Sequence, residues 1–313
     1  MYYIGIDVGG TNLKAGLVRE DGQILAVERT PLAFENPEQF ARTLAQLGQS
    51  VLHQAGIPAS DVVSAGIGIP GAVAGGDILY TCNIPLRDVP LNRLFRQHLD
   101  VPVLLENDAN CAAVGEWLCG AGRGTQQFIV VTLGTGVGGG LILNGKLYSG
   151  SGMVGEVGHM VIQHGGAPCN CGRRGCWEAY ASATGLIRMT REAMEAHPES
   201  LLHTVAAQSG CVEGRTAFDA AVQGDETALA LCRDYVSYLA AGVTNLINIL
   251  QPEAVAIGGG VAAAPDGLLF TPLREIVERE CYPRHTGQIP RIVRAELGND
   301  AGIIGAALLK RAI

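Results

Sequence analysis

One layout occurs twice in this chain, and it limits the fold more than any other feature. Residues 4–26, IGIDVGGTNLKAGLVREDGQILA, run as an apolar stretch, a Gly-Gly-Thr turn, a second apolar stretch, an Asp-Gly turn and a third stretch. Residues 129–150, IVVTLGTGVGGGLILNGKLYSG, repeat the order with Gly-Thr-Gly and Asn-Gly at the turns. Asp-Gly and Asn-Gly accept the positive φ of tight hairpins, so each copy predicts consecutive antiparallel strands. A second echo links Val62–Val73, VVSAGIGIPGAV, with Pro252–Ala263, PEAVAIGGGVAA. Each is a short buried-type strand running into glycines. Two copies of a hairpin plus a βα unit predict two similar α/β domains facing each other across a cleft.

Between these landmarks, apolar residues at spacings of three and four predict helix over Pro37–Gln54 and Ala217–Leu250. Glu106-Asn107-Asp108 leads from the apolar run VPVLL into an alanine-rich helix that closes at Gly120. Gly120 to Gly124 is the expected crossing, giving domains over 1–120 and 121–301, and the final helix, Gly302–Ala312, could pack on either.

The chain has 313 residues, 48% hydrophobic and 17% charged, which suits a globular protein with a sizeable core. A net charge of −8, with no lysine or arginine cluster longer than a pair, argues against nucleic acid or an anionic membrane as partner. MYYIGIDVGG lacks a basic leader segment and reads as a strand. No apolar run reaches the roughly 18 residues of a membrane span. The expected compartment is the cytoplasm, where Cys82, Cys111, Cys119, Cys211, Cys232 and Cys281 stay reduced.

A glycine turn between strands lets backbone N–H groups approach a phosphate with no Cβ in the way. Gly9-Gly10-Thr11 alone reads equally as a tight hairpin. Its duplicate, Gly134-Thr135-Gly136, favours a phosphate clamp from each half around a nucleotide. Asp7, at the end of the first strand, could hold Mg2+ through water. Asn12 and Lys14 follow Thr11 and belong to the same expected nucleotide site. No Gly-Lys-Ser/Thr follows either turn and no G-x-G-x-x-G opens a helix, which excludes Walker and Rossmann sites. Gly258-Gly259-Gly260 suits close approach of a flat ligand such as adenine.

The segment 155–176, GEVGHMVIQHGGAPCNCGRRGC, adds Cys169-x-Cys171-x4-Cys176 with His159 upstream. Three thiolates and an imidazole suit tetrahedral Zn2+, with free thiols in a glycine-rich loop as the alternative and His164 as a rival fourth ligand. Such a set fills every coordination position and leaves no room for an activated water, so the expected zinc is structural. Gly155 stands where an H-E-x-x-H motif needs its first histidine.

Asp7-x-Gly-Gly-Thr11, Glu106-Asn-Asp108, Leu133-Gly-Thr-Gly136, Gly155-Glu-x-Gly-His159 and Cys169-x-Cys171-Gly-x-x-Gly-Cys176-x-Glu178 together resemble the ROK family of sugar kinases and sugar-responsive repressors, and within it the glucokinases. The motifs follow the family's order from Tyr3 to Gly260. The resemblance implies the actin-like (ribonuclease H-like) two-domain ATPase fold, with ATP and Mg2+ serving phosphorylation of a hexose. It makes Asp108 the general base, where position alone leaves it equally a helix N-cap. It makes Asn83, Asn107, Glu156, His159 and Glu178 sugar contacts, with Pro70-Gly71 beside them, and favours His159 as the fourth zinc ligand. The zinc would fold its loop so that Glu156, the other face of His159 and Glu178 meet the sugar.

Two departures, Ser151-Gly-Met153 for the usual Ala-His-Gly and Trp177 for a common leucine, flank the expected sugar pocket and bear on the sugar's identity. Glucose is the expected acceptor, with fructose, mannose, N-acetylglucosamine, N-acetylmannosamine or allose as alternatives; ADP and polyphosphate are alternative donors. The expected partners are the hexose and ATP, without nucleic acid or membrane, in a homodimer or homotetramer. A repressor of the family would need a helix-turn-helix domain before the first strand, which this chain begins at Tyr2. A sugar sensor without catalysis is opposed by the intact Asp7, Asp108 and both Gly-Thr turns.

Overall fold

The structure, a computed structural model, describes residues 1–81, 84–150 and 152–313. Strands β1 (Tyr2–Val8), β2 (Asn12–Arg19) and β3 (Ile24–Pro31) form the antiparallel meander expected from the first two glycine turns. Helix α1 (Pro37–Ala55) follows the predicted span closely. Asn36 caps its N-terminus, Gly56 ends it in the left-handed region, and Phe40, Leu44 and Val51 form its buried face. Next come β4 (Val62–Ile69), a small antiparallel sheet of β5 (Gly71–Ala74), β6 (Asp77–Thr81) and β7 (Arg87–Val89), helix α2 (Leu91–Arg96), β8 (Val103–Asn107) and α3 (Asp108–Cys119). Because β4 runs parallel to β1, and β8 parallel to β4, the first large sheet has the order β3-β2-β1-β4-β8.

The second layout begins with β9 (Phe128–Leu133), β10 (Val137–Leu143) and β11 (Lys146–Leu147). Helices α4 (Glu178–Ala181), α5 (Ala183–Ala196), α6 (Leu202–Ser209), α7 (Thr216–Val222) and α8 (Glu226–Leu250) precede β12 (Ala254–Gly258), α9 (Phe270–Glu280), β13 (Arg291–Arg294) and α10 (Ala301–Leu308). The second sheet reads β11-β10-β9-β12-β13. Both five-stranded sheets thus share one order: third, second, first, fourth, fifth. The duplication read from the two turns is a duplication of topology.

The helix expected over Ala217–Leu250 is two helices. Gly224, at φ 85°, breaks the pattern, and Asp225 caps α8 by accepting the Ala228 N–H. Helical spacing on both sides of a three-residue break, Gln223 to Asp225, looks continuous in sequence, which is why periodicity alone merged them.

The chain divides into two units, 1–130 with 140–155 and 296–313, and 131–139 with 156–295. This is a different cut from one at 120. After α3 the chain turns back, with Gly122 N–H on the Glu116 carbonyl and the Trp117 indole N–H on the Thr125 carbonyl. The β11 end is likewise tied to the C-terminus, Leu147 N–H to Ala312 O. Helix α10 packs on α3, β1 and β4 in the first unit. A Cβ on Gly305 would overlap the Cys111 carbonyl, so only glycine lets α10 lie this close to α3. No helix among the described residues is long and apolar enough to cross a membrane.

Candidate functional site

Two groups of predicted residues form, one in each unit. In the first, β1, β4 and β8 end side by side, and the β8–α3 junction carries Glu106, Asn107 and Asp108. Asn107 is the helix cap: its Oδ1 accepts the Ala109 N–H at 2.9 Å and the Asn110 N–H at 3.3 Å. Its Nδ2 donates to the Gly71 carbonyl at 3.3 Å, joining the junction to the start of β5. Asp108 is the first helical residue, half-buried, with Oδ1 2.9 Å from the Ala109 N–H. The cap and the candidate base are therefore separate side chains.

The Gly9-Gly10-Thr11 turn joins β1 to β2, closed by Gly9 N–H on Asn12 O at 2.9 Å. A Cβ on Gly10 would meet nothing, so the turn's outer side is open to a ligand's phosphate. Thr11 and Asn12 are exposed there, linked Nδ2 to Oγ1 at 2.9 Å. Asp7 pairs with Lys14 across the hairpin. Burial pushes the Asp7 carboxyl above its usual range, and the Lys14 ammonium pulls it the other way. Lys14 itself is held by Asp300 Oδ1 at 2.6 Å and Asn299 O at 3.0 Å, just ahead of α10.

In the second unit the Gly134-Thr135-Gly136 turn repeats this arrangement. Gly134 N–H donates to Gly136 O at 3.0 Å, and a Cβ on Gly134 would meet nothing. The start of α5 supports the turn, with Ala183 N–H on Gly134 O and the Thr184 hydroxyl on Thr135 O, both 2.8 Å. Glu178 braces it from beneath, its Oε2 accepting the Val137 N–H at 3.0 Å. Gly258 ends the buried β12, Gly259 packs against Leu133, and Gly260 is exposed with open space where a Cβ would stand. Of the three, Gly260 is the one whose outer side is free for a flat ligand.

His159, Cys169, Cys171 and Cys176 place their ligand atoms within 4.8 Å of one another; His164 is outside this group. His159 Nδ1 lies 3.7 Å from Cys169 Sγ, and Cys171 Sγ 3.6 Å from Cys176 Sγ. Zinc–sulfur arms of about 2.3 Å in a tetrahedron set sulfurs about 3.8 Å apart, so the donor set fits the ion. Burial pushes the Cys169 thiol up to about 12, whereas the Arg173 backbone N–H holds Cys171 below its usual range. The knuckle needs Gly175 at φ 83°, where a Cβ would overlap the Gln163 carbonyl. With Nδ1 on the sulfur side, His159 Nε2 points to the Glu156 carboxylate, 3.9 Å away, and Glu178 Oε1 lies 3.8 Å from Cys169 Sγ. The thiol cluster and the three predicted sugar contacts Glu156, His159 and Glu178 are one structure.

Asn83 and Ser151 lie outside the described residues. Trp177 does not line a pocket: it is fully buried, its ring against Gly242 of α8 and its N–H on the Tyr238 carbonyl at 2.9 Å. Its replacement of leucine is a change of core packing paired with a glycine, and it carries no information on the sugar.

Sequence reasoning missed Asp300, the partner of Lys14. A signal for it exists: Gly298-Asn299-Asp300-Ala301 after the fifth strand of the second sheet echoes Glu106-Asn107-Asp108-Ala109 after the fifth strand of the first. It also missed the internal role of Glu106, which bonds Asn107 and Asn110 beside it and Ser149, 43 positions away, a partner that no local spacing reveals.

A sequence model of the ROK family matches residues 3–313. The chain is 40% identical to the glucokinase of Halalkalibacterium halodurans, over 98% of this chain and 94% of that protein. It is also 40% identical to the glucokinase of Thermotoga maritima, over 97% and 95%. Among solved structures it is similar to a ROK family glucokinase from Streptomyces griseus in complex with glucose and AMPPNP, at 35% identity, 99% coverage of both chains and a TM-score of 0.79. The paired sheets agree with the actin-like two-domain ATPase fold expected from the sequence.

Proposed function

The chain belongs to the ROK family, and on that premise we propose that it phosphorylates a hexose from ATP, with glucose as the acceptor and Asp108 as the general base. The observation that carries the mechanism is the division of work at the β8–α3 junction. Asn107 is the helix cap and Asp108 the first helical residue beside it, and the Asp108 carboxylate takes the proton of the attacking sugar hydroxyl as its oxygen meets the γ-phosphorus. The second-unit contacts Glu156, His159 and Glu178 offer acceptors and a donor to the ring hydroxyls, a polar set that discriminates a sugar from an apolar ligand.

The turns at Gly10 and Gly134 are each open on their outer side, and the backbone and neighbouring threonine hydroxyl of each would donate to phosphate oxygen. Mg2+ neutralises charge on the donor's phosphates when bound, and Asp7 is the residue that would hold it through water. A carboxyl pushed up by burial gains from a nearby cation, which fits that role. Zinc would be held by His159, Cys169, Cys171 and Cys176 and would serve to fold the loop, with no coordination position left for chemistry.

The test is a coupled assay of purified enzyme over a hexose panel, with ATP, ADP and polyphosphate as donors. Glucose with ATP should give the highest kcat/KM. A chain that phosphorylates none of the sugars would overturn the reading.

A further inference from the structure

Glu106 is a carboxylate only 7% exposed. A buried polar side chain is kept where partners replace the water it lost, and here three do so, two from the adjoining turn of α3 and one from a distant loop. Oε1 accepts the Asn107 backbone N–H at 2.9 Å and Asn110 Nδ2 at 3.0 Å; Oε2 accepts the Ser149 hydroxyl at 2.7 Å. The Asn107 bond fixes the Glu106–Asn107 peptide, one link ahead of the peptide that carries Asp108. The Asn110 bond ties the first turn of α3 to the end of β8, and it matters to Asn110 because its Oδ1 finds no donor among the described residues. The Ser149 bond reaches 43 positions along the chain, to the segment that follows β11 and runs on to Gly155 and Glu156.

We propose that Glu106 is a positioning residue for phosphoryl transfer, one buried carboxylate that sets the presentation of Asp108 and, through Ser149, anchors the segment leading to Glu156. This rests on the kinase reading above. The two arms act on different quantities. Release of the Asn107 peptide shifts the Asp108 carboxylate, and a displacement of about 1 Å at a reacting group costs about 10²-fold in rate. Release of Ser149 loosens the approach to a sugar contact and leaves the base in place.

Three variants separate the arms by steady-state kinetics, with thermal melts as a check on folding. Glu106→Ala should lower kcat by about 10²-fold. Glu106→Gln keeps an oxygen for Asn107 and Asn110 and offers its amide to Ser149 Oγ, so kcat should return to within about ten-fold of wild type. Ser149→Ala should raise the glucose KM about five-fold, the size of one lost hydrogen bond, with kcat and the ATP KM within about two-fold. Should Glu106→Ala fail to fold, the other two variants still decide. A Gln variant as slow as Ala would make the charge itself the active feature and overturn the positioning role. An active wild type with an unaltered glucose KM in Ser149→Ala overturns this proposal alone, whereas a wild type inactive on every hexose overturns the kinase reading and this proposal with it.

Discussion

Glu178 Oε2 accepts the Val137 backbone N–H at 3.0 Å, so a predicted sugar contact is also the brace of a predicted phosphate turn. Truncation of that side chain should therefore disturb both substrates. Glu178→Ala should raise KM for glucose and for ATP, each by about ten-fold or more, because a hydrogen bond to a charged group is worth about 1.5–3 kcal/mol. Glu178→Gln keeps an acceptor for Val137 and should spare the ATP KM while weakening the sugar. An unchanged ATP KM in the alanine variant would separate the two functions.

Loss of the proposed zinc should act on the sugar side first. The four-ligand cluster shares Cys169 and His159 with the Glu178 and Glu156 carboxylates, so a loosened knuckle displaces those carboxylates. Elemental analysis should give about one zinc per chain, and Cys171→Ser should lose it, melt lower and show a raised glucose KM. Thiols must give up protons to bind the ion, so zinc affinity should fall as pH falls, read with a chromogenic indicator. A metal-free wild type with full activity would remove zinc from the account.

Asp225 offers a pH-dependent prediction away from the site. Burial acts to raise its pKa, but the Ala228 and Leu201 N–H groups and the Ser200 hydroxyl outweigh it and hold the carboxyl below its usual range. A depressed folded pKa gives stability that is present above the unfolded value of about 3.9 and is lost as pH falls through the folded one. Asp225→Ala should cost about 1 kcal/mol at neutral pH, as lost caps do. The gap in Tm from wild type should narrow on acidification below pH about 4. A gap that is constant with pH would mean the cap acts without its charge.

Gly305→Ala tests the seat of the last helix. The added Cβ would meet the Cys111 carbonyl, a backbone atom that cannot rotate away. Unfolding in urea should show a loss of about 3 kcal/mol, at the upper end for overpacking. A variant of wild-type stability would mean that α10 can slide on α3.

What the sequence made legible follows from the range of the interactions. The two meanders could be read because Asp21-Gly22 and Asn144-Gly145 are local signals, and the cysteine cluster because Cys169, Cys171 and Cys176 are close in sequence. The α7–α8 break at Gly224-Asp225 was hidden because apolar periodicity survives it. Asn107 rather than Asp108 as the cap turns on backbone geometry that adjacent polar residues do not reveal. Lys14 with Asp300, and Glu106 with Ser149, are partners 286 and 43 positions apart, beyond any spacing rule. Trp177 misled because neighbours in sequence, such as Glu178, can face opposite ways: one into the core, the other onto a turn.

The central claim is that Asp108 takes the proton from a glucose hydroxyl during transfer from ATP. Asp108→Asn keeps the size and shape of the side chain and removes the base, so the most direct measurement is kcat for glucose phosphorylation beside glucose affinity by calorimetry. The account predicts a kcat lower by at least about 10²-fold with glucose affinity close to wild type. Turnover at the wild-type rate would contradict it and place the base elsewhere.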